Sequence, residues 1–110
     1  MTKIKDNCVL ITGGASGIGR IMGRMALEKG ARMLVIWDIN KAGIESTAKE
    51  FGNIGNVKGY KVDISDTEKV KEIAQKTIEE CGNVDILINC AGIITSNATF
   101  DRQTSDEIER

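Results

Sequence analysis

Residues 9–19 constrain this chain more than any others. Val9-Leu10-Ile11 is a short apolar strand that runs straight into Thr12-Gly13-Gly14-Ala15-Ser16-Gly17-Ile18-Gly19. Ile18, Ile21, Met22, Met25 and Ala26 then recur at helical spacing and are expected to share one face, with Met22 and Met25 as packing residues. Strand, glycine turn and helix in that order make a seat for a phosphate-bearing ligand. Glycines let backbone approach an anion, and the helix end offers unpaired N–H groups and a positive dipole. The plainer alternative is a turn that only packs the helix tightly on the strand. The flanking strand and helix favour ligand binding. The spacing is neither Gly-x-Gly-x-x-Gly nor a P-loop, since Arg20 follows Gly19 where a P-loop needs lysine and then a hydroxyl.

The rest of the chain alternates strand and helix. The first strand covers about Cys8–Thr12 and its helix about Gly17–Lys29, with Gly30 as a C′ glycine. Arg32–Asp38 reads as a buried strand in which Trp37 belongs to the core. Asn40 can cap a second helix with Ile44, Ala48 and Phe51 on one face, and Gly52–Asn56 is a loop. Val57–Val62 is a third strand. Ser65-Asp66-Thr67-Glu68 is a capping box opening a helix with Val70, Ile73, Ala74, Thr77 and Ile78 inward, ended by Cys81-Gly82. Val84–Asn89 is a fourth strand, with Asp85 either solvated or bracing a loop. A polar loop follows over about 94–103, and Thr104-Ser105-Asp106-Glu107 announces another helix. Such alternation predicts a doubly wound parallel α/β sheet in the order 3-2-1-4. The first two helices should cover one face and the third helix the other, leaving the fourth strand as an apolar edge.

A net charge of −1 with no basic block argues against a nucleic-acid or membrane-surface partner. The first residues, Met1-Thr2-Lys3-Ile4-Lys5-Asp6-Asn7, are polar and unlike a signal peptide, and no apolar run would span a bilayer. Cys8, Cys81 and Cys90 are widely spaced and there is no histidine. No metal site is expected, the thiols point to a cytoplasmic location, and catalysis through histidine is excluded. Arg20 and Arg24 fall on the outer face of the first helix.

Three motifs in order carry a resemblance. Thr12-Gly13-x-x-x-Gly17-Ile18-Gly19, Asp63 past the third strand, and Asn89-Cys90-Ala91-Gly92 after the fourth resemble the short-chain dehydrogenase/reductase family over essentially the whole chain. The one departure is Cys90, where the family carries a second asparagine. The resemblance implies a Rossmann-like, amino-terminal dinucleotide-binding domain over residues 1–110. It also implies that Gly13, Ser16, Gly17, Ile18 and Gly19 meet the pyrophosphate and that Asp63 meets the adenine. Ile39 and Ile64 stand beside these acids, and Cys90, Ala91 and Gly92 form the inner ribose loop. A methyltransferase on a similar fold is a distant alternative, because the Asn89–Gly92 match speaks against it.

Asp38 ends the second strand nineteen residues after Gly19, the reach at which an acid accepts from adenosine-ribose hydroxyls and repels a 2′-phosphate. Its alternative role is to cap the next helix. Ser16 stands where NADP-preferring relatives often carry a basic residue, so NAD is expected over NADP, although Lys41 lies three residues beyond Asp38. The family's chemistry uses a serine and a Tyr-x-x-x-Lys pair. Tyr60, the only tyrosine, lacks that spacing and gets no catalytic role. No catalytic residue is therefore assigned, and the chain is expected to be the cofactor-binding half of a longer, homo-oligomeric oxidoreductase acting on an alcohol or ketone. The tract Leu34–Lys41 resembles members acting on hydroxysteroids and retinoids. The competing reading is a non-catalytic dinucleotide-binding module or sensor.

Overall fold

Seven elements alternate along the chain: β1 (Cys8–Thr12), α1 (Gly17–Glu28), β2 (Met33–Asp38), α2 (Lys41–Phe51), β3 (Val57–Lys61), α3 (Thr67–Cys81) and β4 (Ile86–Asn89). The computed structural model describes residues 3–90. Ala91, Gly92, the loop expected over 94–103 and the helix announced at Thr104 lie outside the described residues. The four strands form one parallel sheet in the order β3-β2-β1-β4, as the alternation predicts. Val9 pairs with Leu34 on one side and Ile86 on the other, and Trp37 pairs with Tyr60.

Alternate residues of each strand point to opposite faces, so β1 and β2 feed two cores at once. Val9, Ile11, Leu34 and Ile36 pack with Ala26, Leu27, Ile44 and Phe51 beneath α1 and α2. Cys8, Leu10, Val35 and Trp37 pack with Tyr60, Val62 and Cys81 beneath α3. Trp37 is a core residue, and its indole N–H donates to the buried Thr77 hydroxyl at 3.2 Å.

Five local expectations need correction. The buried residues of α1 are Gly19, Gly23, Ala26 and Leu27, whereas Ile18, Ile21 and Met25 are exposed. The reason is steric. A Cβ on Gly23 would come within 3.0 Å of Leu34, so the helix lies too close to the sheet for its bulky face to turn inward. The cap of α3 is Asp66, which accepts from the Lys69 amide; Ser65 is drawn instead to Asp63. Ile78 sits at the margin of the α3 apolar stripe and is half exposed. Asp85 lies at the amino ends of the strands, neither merely solvated nor bracing a ligand-side loop. Its carboxylate accepts from the Cys8 amide at 2.8 Å and its own amide donates to the Cys8 carbonyl, which fastens the starts of β1 and β4. Regular pairing of β4 therefore begins only at Ile86. Arg24 is on the outer side of α1, paired with Glu28, whereas Arg20 reaches across to α2, where it pairs with Glu50 and lies over the Phe51 ring.

Tyr60 is buried, and its hydroxyl donates to Glu80 and lies 3.7 Å from the Cys81 sulfur. Burial, then these contacts, push its pKa well above the usual phenolic value. A raised folded-state pKa leaves stability intact below about pH 10, the unfolded value, and erodes it as pH rises further. Tyr60 is the only tyrosine, so alkaline titration by tyrosinate absorbance reads this group alone. Ionisation should coincide with alkaline unfolding seen by circular dichroism. A reversible tyrosinate signal near pH 10 with native circular dichroism would contradict this placement.

Candidate functional site

Parallel strands put all their carboxyl ends on one side, and here the ladders run one residue past the regular strands. Gly13 N donates to the Trp37 carbonyl at 2.7 Å, Cys90 N to the Thr12 carbonyl at 2.9 Å, and Val62 N to the Asp38 carbonyl at 2.9 Å. Gly13, Asp38, Val62 and Cys90 are thereby brought along one edge of the sheet. The Thr12 hydroxyl donates to Asn89 at 2.8 Å and ties the ends of β1 and β4 together beneath that edge.

The turn between β1 and α1 is shaped by its glycines. Gly13 and Gly17 take φ of 74° and 55°, a region that side chains other than glycine resist. Gly19 is required for a different reason: a Cβ there would stand 2.1 Å from the Gly13 carbonyl oxygen. The first turn of α1 thus rests directly on the backbone of the preceding turn. The Arg20 amide donates to the Ser16 carbonyl at 3.2 Å and opens the helical ladder. The amides of Gly17, Ile18 and Gly19 precede it and face out of the helix end, where the dipole is positive. Ser16 is the N-cap residue but its hydroxyl makes no capping bond.

The acids on the facing wall are held by backbone. Asp38 accepts from the Ala15 amide at 3.1 Å through Oδ2 and from the Asn40 amide at 3.0 Å through Oδ1. Asn40, not Asp38, caps α2, accepting from the Gly43 amide. None of the ion pairs among the described residues involves Asp38. Asp63 accepts both the amide and the hydroxyl of Ser65 through Oδ1, and these bonds hold its carboxyl below the usual carboxylate range. The Cys90 thiol is directed at Met22 of α1, with its sulfur 3.7 Å from the methionine sulfur, and partial burial raises its pKa.

These groups line one groove of about 650 Å³ at the carboxyl edge of the sheet. Gly13, Ser16, Gly17, Ile18, Gly19, Asp38, Ile39, Asp63, Ile64 and Cys90 all border it. Ala91 and Gly92 lie outside the described residues. Trp37, Val62 and Ser65 also border the groove and were not picked out from sequence. Their signal was only adjacency to the strand-end acids. Tyr60 is not among the lining residues. Among the described residues no group of histidine, cysteine or acidic side chains could hold a metal, and no helix is long and apolar enough to cross a membrane.

The donors and the steric cradle fit a diphosphate, and Asp38 fits a neighbouring diol, the parts of a dinucleotide. Comparison with known proteins gives the same direction. The family described as short chain dehydrogenase matches residues 7–110. Human epidermal retinol dehydrogenase 2 is 43% identical over 100 residues, covering 89% of this chain and 32% of that protein. Rat estradiol 17-beta-dehydrogenase 11 is 41% identical over 101 residues, covering 91% and 34%. The chain thus spans about a third of the length of these relatives. The RhlG/NADP active-site complex from Pseudomonas aeruginosa superposes with a TM-score of 0.75 at 27% identity, over 91% of this chain and 40% of that one.

The close seating of Gly19 on Gly13 can be tested without any ligand. Gly19→Ala should lower the free energy of unfolding by about 2–3 kcal/mol in a denaturant titration, despite the roughly 1 kcal/mol of helix propensity gained. Gly17→Ala, where a Cβ meets nothing within 4 Å, should cost only the left-handed backbone term of about 1–2 kcal/mol. A Gly19→Ala protein as stable as the parent would show that the helix does not rest on the turn.

Proposed function

This chain belongs to the short-chain dehydrogenase family, and on that footing we propose that it is the NAD(H)-binding half of an oxidoreductase acting on an alcohol or ketone. The single observation that carries the choice of NAD is Asp38. Its carboxylate, in no ion pair among the described residues, stands at the end of β2 beside the glycine turn and borders the groove. An adenosine ribose seated there would offer hydroxyls to it, and a 2′-phosphate would meet a like charge. Ser16, next to Ala15 in the turn and also bordering the groove, supplies no cation to offset that repulsion.

When bound, the nicotinamide ring supplies the hydride acceptor or donor. The residues of this chain bind and orient. The amides of Gly17, Ile18 and Gly19 would hold the pyrophosphate, Asp38 the adenosine ribose and Asp63 the adenine edge. Ile39 and Ile64 would flank the base, while Cys90, with Ala91 and Gly92, would reach the inner ribose. On this reading the one tyrosine here is not the general acid/base, since its hydroxyl is committed to Glu80 and Cys81. The retinol and estradiol dehydrogenases among the relatives support a hydrophobic secondary or allylic alcohol, or its carbonyl counterpart, as substrate. Free Cys8, Cys81 and Cys90 accord with a reducing, cytoplasmic setting, and assembly as a homo-oligomer belongs to the same reading.

The lone tryptophan, Trp37, borders the groove and reports on occupancy. NADH should quench its emission and gain sensitised nicotinamide fluorescence, and it should bind about tenfold or more tightly than NADPH. Asp38→Asn keeps the size and one acceptor oxygen and removes the charge; the NADH-to-NADPH affinity ratio, which cancels any loss common to both coenzymes, should fall about tenfold or more. If neither coenzyme alters the emission of the folded protein, the dinucleotide reading is wrong. An unchanged ratio in the variant would leave dinucleotide binding standing and remove Asp38 as its selector.

A further inference from the structure

Ala15 lies in the middle of the glycine turn and is buried, yet it does not border the groove. Both of its backbone polar groups are gripped by side chains of other elements. Its amide donates to Asp38 Oδ2 at 3.1 Å, and its carbonyl accepts from the Thr47 hydroxyl at 3.4 Å. Thr47 is on α2, is completely buried, and also lies outside the groove lining. The two buried helical threonines behave differently. Thr77 donates to the Ile73 carbonyl one turn back in its own helix at 2.7 Å, the usual bond for a helical threonine. Thr47 reaches out of its helix to the turn between β1 and α1. The approach is close because α2 carries Gly43 at that point, where a Cβ would come within 3.3 Å of the Ala15 side chain.

We propose that Thr47 is a positioning residue for the phosphate-binding turn: through the Ala15 carbonyl, and opposite Asp38 on the Ala15 amide, it fixes where the Gly17–Gly19 amides point. This rests on the dinucleotide reading above and deepens it. The ribose acid and the pyrophosphate donors become mechanically linked through one residue. A Thr47 change would then weaken both coenzymes alike, since it acts on the shared diphosphate and leaves the ribose discriminator in place.

The test uses Thr47→Val, which keeps the shape and removes the hydroxyl, and Thr47→Ser, which keeps the hydroxyl. Coenzyme affinity is read by Trp37 energy transfer, global stability by denaturant titration, and the hold on the turn by hydrogen exchange of the Ala15 amide, bonded to Asp38, in the ligand-free protein. At 3.4 Å the bond is long, so a modest effect is expected: Thr47→Val should weaken NADH and NADPH by a similar factor of roughly three to ten. Exchange of the Ala15 amide should quicken by a comparable factor, with β1 and β2 unaffected, and Thr47→Ser should restore parental values. Equal loss in both variants in step with global stability would make Thr47 a mere packing residue and overturn the proposal. Parental affinity and exchange in Thr47→Val would also overturn it. If the parent bound neither coenzyme, the functional reading would fail on its own, and exchange alone would decide the clamp: faster in Thr47→Val supports it, unchanged refutes it.

Discussion

The contact between the first turn of α1 and the carbonyl of Gly13 sets the geometry of the rest. With no side chain at Gly19, the helix settles on the turn itself, and Gly23 lets it stay close to Leu34 one turn later. That closeness decides which face of α1 is buried. It also places the unpaired amides of Gly17, Ile18 and Gly19 directly over the carboxyl ends of the strands. A bulkier helix start would lift the amides away from the sheet edge, and the groove between α1 and the strand-end acids would lose its floor.

The opposite wall depends on strand register. Parallel pairing puts Thr12, Trp37 and Asn89 at one level, so the residues that follow each of them emerge side by side. Asp38 is therefore beside the glycine turn and not merely near it, and the bond from Ala15 makes the two a unit. Its carboxylate borders the groove while Oδ2 holds the Ala15 amide and Oδ1 the Asn40 amide, so the strand-end acid and the glycine turn keep one relative position. Asp63 is arranged differently: its bonds are local to Ser65, so its position follows from the β3–α3 connection alone.

Much of this was legible in the order of residues. The four strands, their order and the three helices followed from apolar runs separated by glycine-rich or capping segments. Asp38 was recognisable because it directly follows the apolar run of the second strand, whereas Asp63 and Cys90 stood out through the family motifs at the ends of the third and fourth strands. Side-chain size misled where packing distance mattered. Ile18, Ile21 and Met25 are bulky residues of α1 left exposed, because the helix meets the turn and the sheet through Gly19 and Gly23, where a side chain does not fit. Ser65 and Asp66 both have capping chemistry, and competition from Asp63 for Ser65 decided between them. Asp85 could be understood only once β1 was seen beside β4, because its partner is 77 residues away in sequence.

The amino-acid sequence by itself determined the alternation of elements, the parallel sheet and the glycine turn, because these depend on local periodicity and backbone freedom. Tertiary structure alone decided that Thr47 touches the turn, that Trp37 and Val62 join the groove, and that Cys90 turns its thiol to Met22. Those outcomes depend on how closely two elements approach. That distance is fixed by the steric sum of residues far apart in the chain, and no local pattern records it.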